Sequence, residues 1–201
     1  MKQRHLSKRE LLMQCNAIAR EKRMASRTPW TIMSILCSYC IMTAENFKGQ
    51  RLVRIINAVN ELEEKYDNNS IDLEKLQDEI FEKAGFKIKS DTYEESDITH
   101  KKGSFTYWLD SRQIEAQNEM NKQASRYMVF FYHTLITEFG FGEKRITRVD
   151  ELLSKNMKEY QTNRALIIDW KKALKEEAGL VIEMPVDPLT QTSGSLMTGY
   201  L

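Results

Sequence analysis

Apolar residues recur at helical spacing along most of the chain, and this pattern predicts a series of amphipathic helices. One stripe predicts a helix that ends near Tyr66, and it consists of Leu52, Ile55, Ile56, Val59 and Leu62. A second stripe predicts a helix that stops at Gly85, and it consists of Leu73, Leu76, Ile80 and Phe81. The second half repeats the pattern, with a stripe from Ile146 to Tyr160 and a helix from Ala165 to Ala178 that is capped by Gly179.

The run from Trp30 to Met42 contains no charged residue. It is shorter than the roughly 20 residues that a membrane-spanning helix needs. We therefore expect a buried helix here, with the run from Tyr127 to Phe139 as its counterpart in the second half.

The two halves are related in sequence. Residues 46–88 align without a gap to residues 140–182, with nine identities in 43 positions. The identities include Phe47/Phe141, Arg51/Arg145 and Arg54/Arg148, and apolar positions such as Leu52/Ile146 coincide as well. Two copies are too few for a solenoid, so the sequence predicts two similar helical units packed together as a fused pseudo-dimer.

The predicted fold is therefore an all-α, internally duplicated helical bundle with little or no β-sheet. Five segments follow from the pattern: a basic N-terminal helix at 1–28, the first unit at 29–88, a polar connection with an aromatic cluster and an entry helix at 89–122, the second unit at 123–182, and a mobile tail at 183–201.

Composition supports a helical, globular protein. The chain is 41% hydrophobic and 29% charged, with only three prolines and eight glycines in 201 residues. Its three cysteines are an odd number, and Cys37 and Cys40 lie within the apolar run, which favours free thiols in a reducing compartment. We therefore expect a cytoplasmic protein that does not enter a membrane.

Positive charge is concentrated at the N-terminus. Residues 1–28 hold eight basic and two acidic residues, although the formal net charge of the chain is only +1. This asymmetry predicts contact with nucleic acid or another acidic partner, against the alternative of a solvated helix face. The basic residues that we single out are Lys8, Arg9, Arg20, Lys22, Arg23 and Arg27.

A second basic group lies at the start of the repeated helix in each half. It consists of Lys48, Arg51, Arg54, Lys144, Arg145 and Arg148. Free backbone N–H groups and the helix dipole favour anions at such a helix start. Helical geometry places Arg51 and Arg145 beside the apolar stripe, and it points Arg54 and Arg148 away from the stripe, free to contact a partner. The alternative is that the first pair forms ion pairs along the core and the second is a solvated surface.

Catalytic and metal-binding interpretations are weak. Cys37 and Cys40 have a metal-like spacing, but they lie within a buried helix without a second cysteine pair, and His133 lies in an apolar run typical of a core or an interface. The chain has no phosphate-binding loop, dinucleotide fingerprint or nucleophile elbow. We therefore expect no catalytic residue, no metal, no cofactor and no small-molecule substrate.

Three segments carry a resemblance to known proteins: residues 27–33 (RTPWTIM), 140–146 (GFGEKRI) and 187–195 (DPLTQTSGS). Together they resemble the small helical proteins that phages and prophages of Gram-positive gut bacteria encode. That group includes accessory DNA-binding factors and inhibitors of host defence, among them anti-CRISPR proteins. The resemblance implies one of these roles and no catalytic motif.

The sequence thus favours a non-enzymatic binding protein that acts on nucleic acid or on a host nucleoprotein complex. The alternative is a protein–protein inhibitor or adaptor without direct nucleic-acid contact. Such a module would use aromatic anchors, for which Tyr107 and Trp108 are the candidates. A structural protein that forms homo-oligomers is a third possibility.

Overall fold

The computed structural model describes residues 28–88 and 105–183, with the backbone alone for 105–117. Six helices lie in this part of the chain, and it contains no β-strand, so the predicted all-α class is confirmed. The helices are α1 (28–45), α2 (Gln50–Asp67), α3 (Leu73–Ala84), α4 (Phe105–Phe139), α5 (Glu143–Thr162) and α6 (Leu166–Ala178).

Several predicted features lie outside the described residues. They are the basic N-terminal segment with Lys8, Arg9, Arg20, Lys22, Arg23 and Arg27, the connection at 89–104, and the tail from 184 onward. Tyr107 and Trp108 belong to α4, but their side chains are not among those described. The structure therefore leaves these parts of the sequence analysis as predictions.

Helix α4 is longer than the apolar pattern indicates. It runs unbroken for 35 residues, so the predicted boundary between 122 and 123 falls inside one helix. The segment contains neither glycine nor proline, and nothing in its backbone chemistry stops the helix before Phe139. The polar residues near position 120 and the apolar residues after them therefore belong to the same helix.

The predicted buried helix is confirmed in α1. Between Ile32 and Met42 most side chains are buried, and Ile35, Cys40 and Ile41 are fully enclosed. Helix α4 is buried in the same way from Tyr127 to Ile136. A helix that is apolar on nearly all sides must be surrounded by other elements, and α1 and α4 form the centre of the bundle.

The remaining helices cover these two. Helix α4 packs against α2 and α3, for example through the rings of Phe130 and Tyr66. Helix α1 contacts α6 through the stacked rings of Tyr39 and Trp170, with centroids 5.6 Å apart, and α5 through a hydrogen bond between Asn156 and Cys40. Each central helix therefore contacts the helix pair from the other half of the chain, and each also contacts its own half, where Trp30 donates to Asn60 and Tyr132 donates to Asp150.

Glycines end the helices as the sequence predicts. Gly85 and Gly179 cap α3 and α6 with φ values of 66° and 67°. Gly140 follows α4 at φ 63°, and there the amide of Phe141 donates to the carbonyl of Leu135. A residue without a Cβ closes a helix in this left-handed conformation at the least steric cost.

One predicted core residue is wrongly placed. The apolar pattern places Phe81 in the stripe of α3, but its side chain is 57% exposed, whereas the neighbouring Ile80 is fully buried. Consecutive helical residues point about 100° apart, so a helix that is covered on one side buries one of them more deeply than the other. The helix buries Leu76, Ile80 and Ala84 and leaves Phe81 on its flank.

None of the helices in the described part of the chain combines the length and the apolar content that crossing a bilayer requires.

The glycine after α4 provides a test of this geometry. Gly140→Ala is expected to lower the free energy of unfolding by about 1–2 kcal/mol, because an added Cβ meets no atom but the left-handed backbone disfavours it. Gly142→Ala is the matched control, since Gly142 has φ −91° and equally open space, and its effect should stay within about 0.5 kcal/mol. Urea unfolding measures both, and equal losses would contradict the explanation.

Candidate nucleic-acid interface

Three phenylalanine rings meet where the chain leaves the central helices. Phe47 follows α1, Phe139 ends α4, and Phe141 follows α4. The ring of Phe47 lies edge-on to that of Phe141 at 5.8 Å and tilted against that of Phe139 at 5.2 Å, measured between centroids. We call this cluster the phenylalanine junction, and it brings the starts of α2 and α5 together.

The arginines at these helix starts lie over the junction. The guanidinium of Arg51 is 5.3 Å from the ring centre of Phe47, and that of Arg54 is 5.3 Å from Phe139. The guanidinium of Arg145 lies closest, 3.6 Å from the centre of Phe141. A cation over an aromatic face is attracted by the negative charge density of the ring, so the junction orients these side chains. The structure thus brings the two predicted arginine groups to one place.

A glutamate from α1 binds two of the arginines. The side chain of Glu45 is only 9% exposed. Its Oε2 accepts from Nε of Arg145 at 2.9 Å and lies 2.7 Å from Nη2, while its Oε1 accepts from Arg148 at 3.2 Å. Because a buried carboxylate is costly without partners, these bonds make Arg145 and Arg148 part of the fold.

Arg54 has a similar but more exposed partner. Its Nε donates to Oε2 of Glu138 at 2.9 Å, and the two side chains are 61% and 39% exposed. Helical geometry predicts that Arg54 and Arg148 are exposed and free to contact a partner. They are exposed, but the second expectation was wrong, because Glu138 and Glu45 bind them. The acids come from the ends of α4 and α1, which are distant in sequence from the arginines they bind.

Three basic residues of the junction surface remain without an acidic partner among the described residues. Lys48 and Lys144 are exposed and form no ion pair there, and the guanidinium of Arg51 lies over the ring of Phe47 without an ion pair. These side chains are the ones that can accept an external anion without breaking an internal bond. The predicted set thus divides into arginines that hold the fold and cations that face solvent.

Backbone contacts fix the positions of the helix starts. The amide of Gly49 donates to the carbonyl of Ala178 at 2.9 Å, which ties the start of α2 to the end of α6. An open groove of about 670 Å³ lies beside this contact, lined in part by Gln50, Val53 and Asn57. The charged residues of its lining are Arg54, Glu61 and Glu138, so this groove carries acidic as well as basic groups.

The two thiols in the described part of the chain lie in the core. Cys37 and Cys40 are buried, and burial raises the pKa of Cys37 well above its ordinary value and that of Cys40 to about 12. Cys40 Sγ instead accepts a hydrogen bond from Nδ2 of Asn156 at 3.2 Å, between α1 and α5. A thiol held protonated neither attacks an electrophile nor binds a metal readily, so both residues act as core side chains.

His133 links two helices. Its Nε2 lies 3.1 Å from Oε2 of Glu79, between α4 and α3, and the hydrogen bond lowers the pKa of Glu79. The described residues hold no group of three histidine, cysteine, aspartate or glutamate side chains that could bind a metal ion. His133 therefore contributes a contact between α3 and α4.

Sequence reasoning missed Glu45 and Glu138. Each is an acidic residue at the end of a long apolar run. A carboxylate next to the last buried turn needs a partner, and this position is the signal that could have singled it out. Their partners were not readable, because Arg145 lies 100 positions away from Glu45 and Arg54 lies 84 away from Glu138. Such pairs depend on how the helices cross.

No protein-family model matches the chain, and neither a curated protein nor a solved structure matches it. The chemistry of the junction therefore carries the functional conclusion.

The two glutamates of the junction differ in burial, and stability should reflect this difference. Glu45→Gln is expected to cost about 1.5–3 kcal/mol of unfolding free energy, because it weakens charged hydrogen bonds to two arginines. Glu138→Gln should cost less than about 1 kcal/mol, since its pair is solvated. Denaturant unfolding of the two variants measures the difference. A larger loss at Glu138 would contradict the assignment of Glu45 as the buried anchor.

Proposed function

We propose that this protein is a non-enzymatic nucleic-acid-binding protein whose contact surface is the basic face of the phenylalanine junction. The observation that carries the proposal is the convergence of both basic helix starts at one aromatic cluster, with Lys48, Arg51 and Lys144 lacking acidic partners there. Accessory DNA-binding proteins of the phage type, which the sequence resembles, would use such a surface.

We also propose that the fold is an internal duplication with a pseudo-two-fold axis at the junction. The helix ends support it: with an offset of 94, the ends of α1 and α4 coincide, and so do those of α3 and α6. Asn46 and Gly140, which coincide under the same offset, both have positive φ. Phe47 and Phe141 also coincide and touch each other, as equivalent residues do at a two-fold axis.

Reciprocal contacts around the axis support the same symmetry. Arg54 of the first half binds Glu138 of the second, and Arg148 of the second half binds Glu45 of the first. The tie between Gly49 and Ala178 has a counterpart, since the carboxylate of Glu143 lies close to Gly85. An isologous interface repeats each contact, and here the repeat is approximate: under the offset of 94 the two arginines coincide, whereas Glu138 falls on Ala44 and Glu45 on Phe139, so the acids are one position out of register.

The symmetry gives the proposed surface its shape. A two-fold axis places two similar basic sites side by side, and a nucleic-acid backbone offers phosphates at regular intervals. Lys48 and Lys144 would contact phosphates as point charges, while Arg51 is held over its ring. Contacts of this kind position a protein on nucleic acid without reading sequence.

The binding experiment uses labelled duplex DNA, single-stranded DNA and RNA, each titrated with the full-length protein from low to physiological salt. The proposal expects an affinity that falls steeply with salt on at least one of these substrates, because binding releases counterions from the phosphates. Absence of binding even at low salt would contradict the proposal, and it would direct attention to a host protein as the partner.

Charge reversal distinguishes this surface from general basicity. The double variant Lys48→Glu with Lys144→Glu should bind at least about tenfold more weakly at low salt and lower the salt slope by about 2, one unit for each lost phosphate contact. The control is Lys65→Glu with Lys158→Glu. These exposed lysines lie near the ends of α2 and α5, about 20 Å or more along each helix from Lys48 and Lys144. Equal effects of the two double variants would contradict the assigned surface, and thermal melting checks that both remain folded.

A further inference from the structure

Two helix flanks that play no part in the junction carry opposite charge. On α6, residues at a spacing of three and four are Ile168, Lys171, Lys172 and Lys175. On α3, the residues 94 positions earlier in the chain are Glu74, Gln77, Asp78 and Phe81. Such spacing places each set on one side of its helix. One flank is therefore basic with an apolar residue, and the other is acidic with an aromatic residue.

The basic flank borders a groove. Residues 181–183 run beside α6 and enclose about 390 Å³ with it, lined by the three lysines, Val181 and Ile182, together with Glu176 and Glu183. Val181 is exposed, as is Ile168 at the other end of the flank. The groove thus has an apolar lining with positive charge along one edge.

The acidic flank presents a matching projection. Phe81 is one of the few large apolar side chains that the described residues leave exposed. It lies three positions after Asp78 and seven after Glu74, both of them exposed, so carboxylates lie beside the ring. An exposed aromatic side chain with carboxylates beside it fits an apolar groove whose edge carries ammonium groups.

We propose that a second copy of this chain occupies the groove. Phe81 of one molecule inserts between α6 and Val181 of the next, while Glu74 and Asp78 of the first face Lys172 and Lys175 of the second. The contact joins different surfaces of two identical molecules, so it is heterologous, and the pair keeps one free basic flank and one free acidic flank. Repetition builds a ring or an open chain.

The contact is small. A helix of 13 residues is only about 20 Å long, so a flank of one such helix gives an interface at the lower end of the range for specific complexes. Association should therefore be weak, dependent on concentration, and sensitive to salt through its charged rim. It uses neither the junction nor Lys48 and Lys144, so it stands independently of the proposed nucleic-acid binding.

Sedimentation velocity of the full-length protein without nucleic acid tests the proposal. The weight-average mass should rise above the monomer mass with concentration, and added salt should lower it. Lys172→Glu with Lys175→Glu should weaken the association constant about tenfold or more, as should Glu74→Lys with Asp78→Lys and, through the lost ring, Phe81→Ala. The control with equal charge change is Lys65→Glu with Lys158→Glu, which should associate like the unmodified protein.

Mixing the two charge-reversed variants is the sharpest form of the test. Each variant alone carries two flanks of the same charge, both acidic after Lys172→Glu with Lys175→Glu and both basic after Glu74→Lys with Asp78→Lys. In a mixture, a flank of one variant can again meet a flank of opposite charge on the other. The proposal expects association to return in the equimolar mixture, a result that loss of folding cannot produce. A protein that stays monomeric at all concentrations, or variants that associate like the unmodified chain, would overturn it. Binding of nucleic acid to the lysine flank of a strictly monomeric protein would overturn it as well.

Discussion

The contact between the rings of Phe47 and Phe141 is the point at which the two halves of this fold cross. Each ring follows a central helix and precedes a basic helix start, so the contact sets both turns at once. Arg51 and Arg145 lie over the same two rings, one over each. The position of the basic groups therefore depends on one small aromatic cluster, while the halves also pack along their helices, for example where Tyr66 contacts Phe130 and Tyr39 stacks on Trp170.

Charge at the junction serves two purposes. Glu45 and Glu138 bind three of the four arginines, which satisfies a carboxylate that burial would otherwise penalise and ties the end of each central helix to the other half. The cations that remain are outside these pairs and face solvent. A surface built this way keeps its shape whether or not an anion is bound, which lowers the ordering cost of binding.

The sequence predicted local features well, because they depend on neighbouring residues. Periodicity located the helices, the uncharged run located a buried one, and Gly85 and Gly179 marked helix ends through their backbone freedom. Relations between distant residues were not predictable, since an apolar stripe requires burial without naming its partner. The covering of α1 by the helices of the other half, the bond between Arg145 and Glu45, and the exposure of Phe81 all depend on how the helices cross.

The measurement that tests the crossing most directly is a double-mutant cycle between Phe47→Leu and Phe141→Leu, with unfolding free energies from denaturant titration. Leucine keeps most of the buried apolar volume and removes the ring contact. We expect the two losses to be non-additive, with a coupling of about 0.5–1.5 kcal/mol, as for other aromatic pairs. Additive losses, with a coupling below about 0.3 kcal/mol, would contradict the conclusion that this contact joins the two halves.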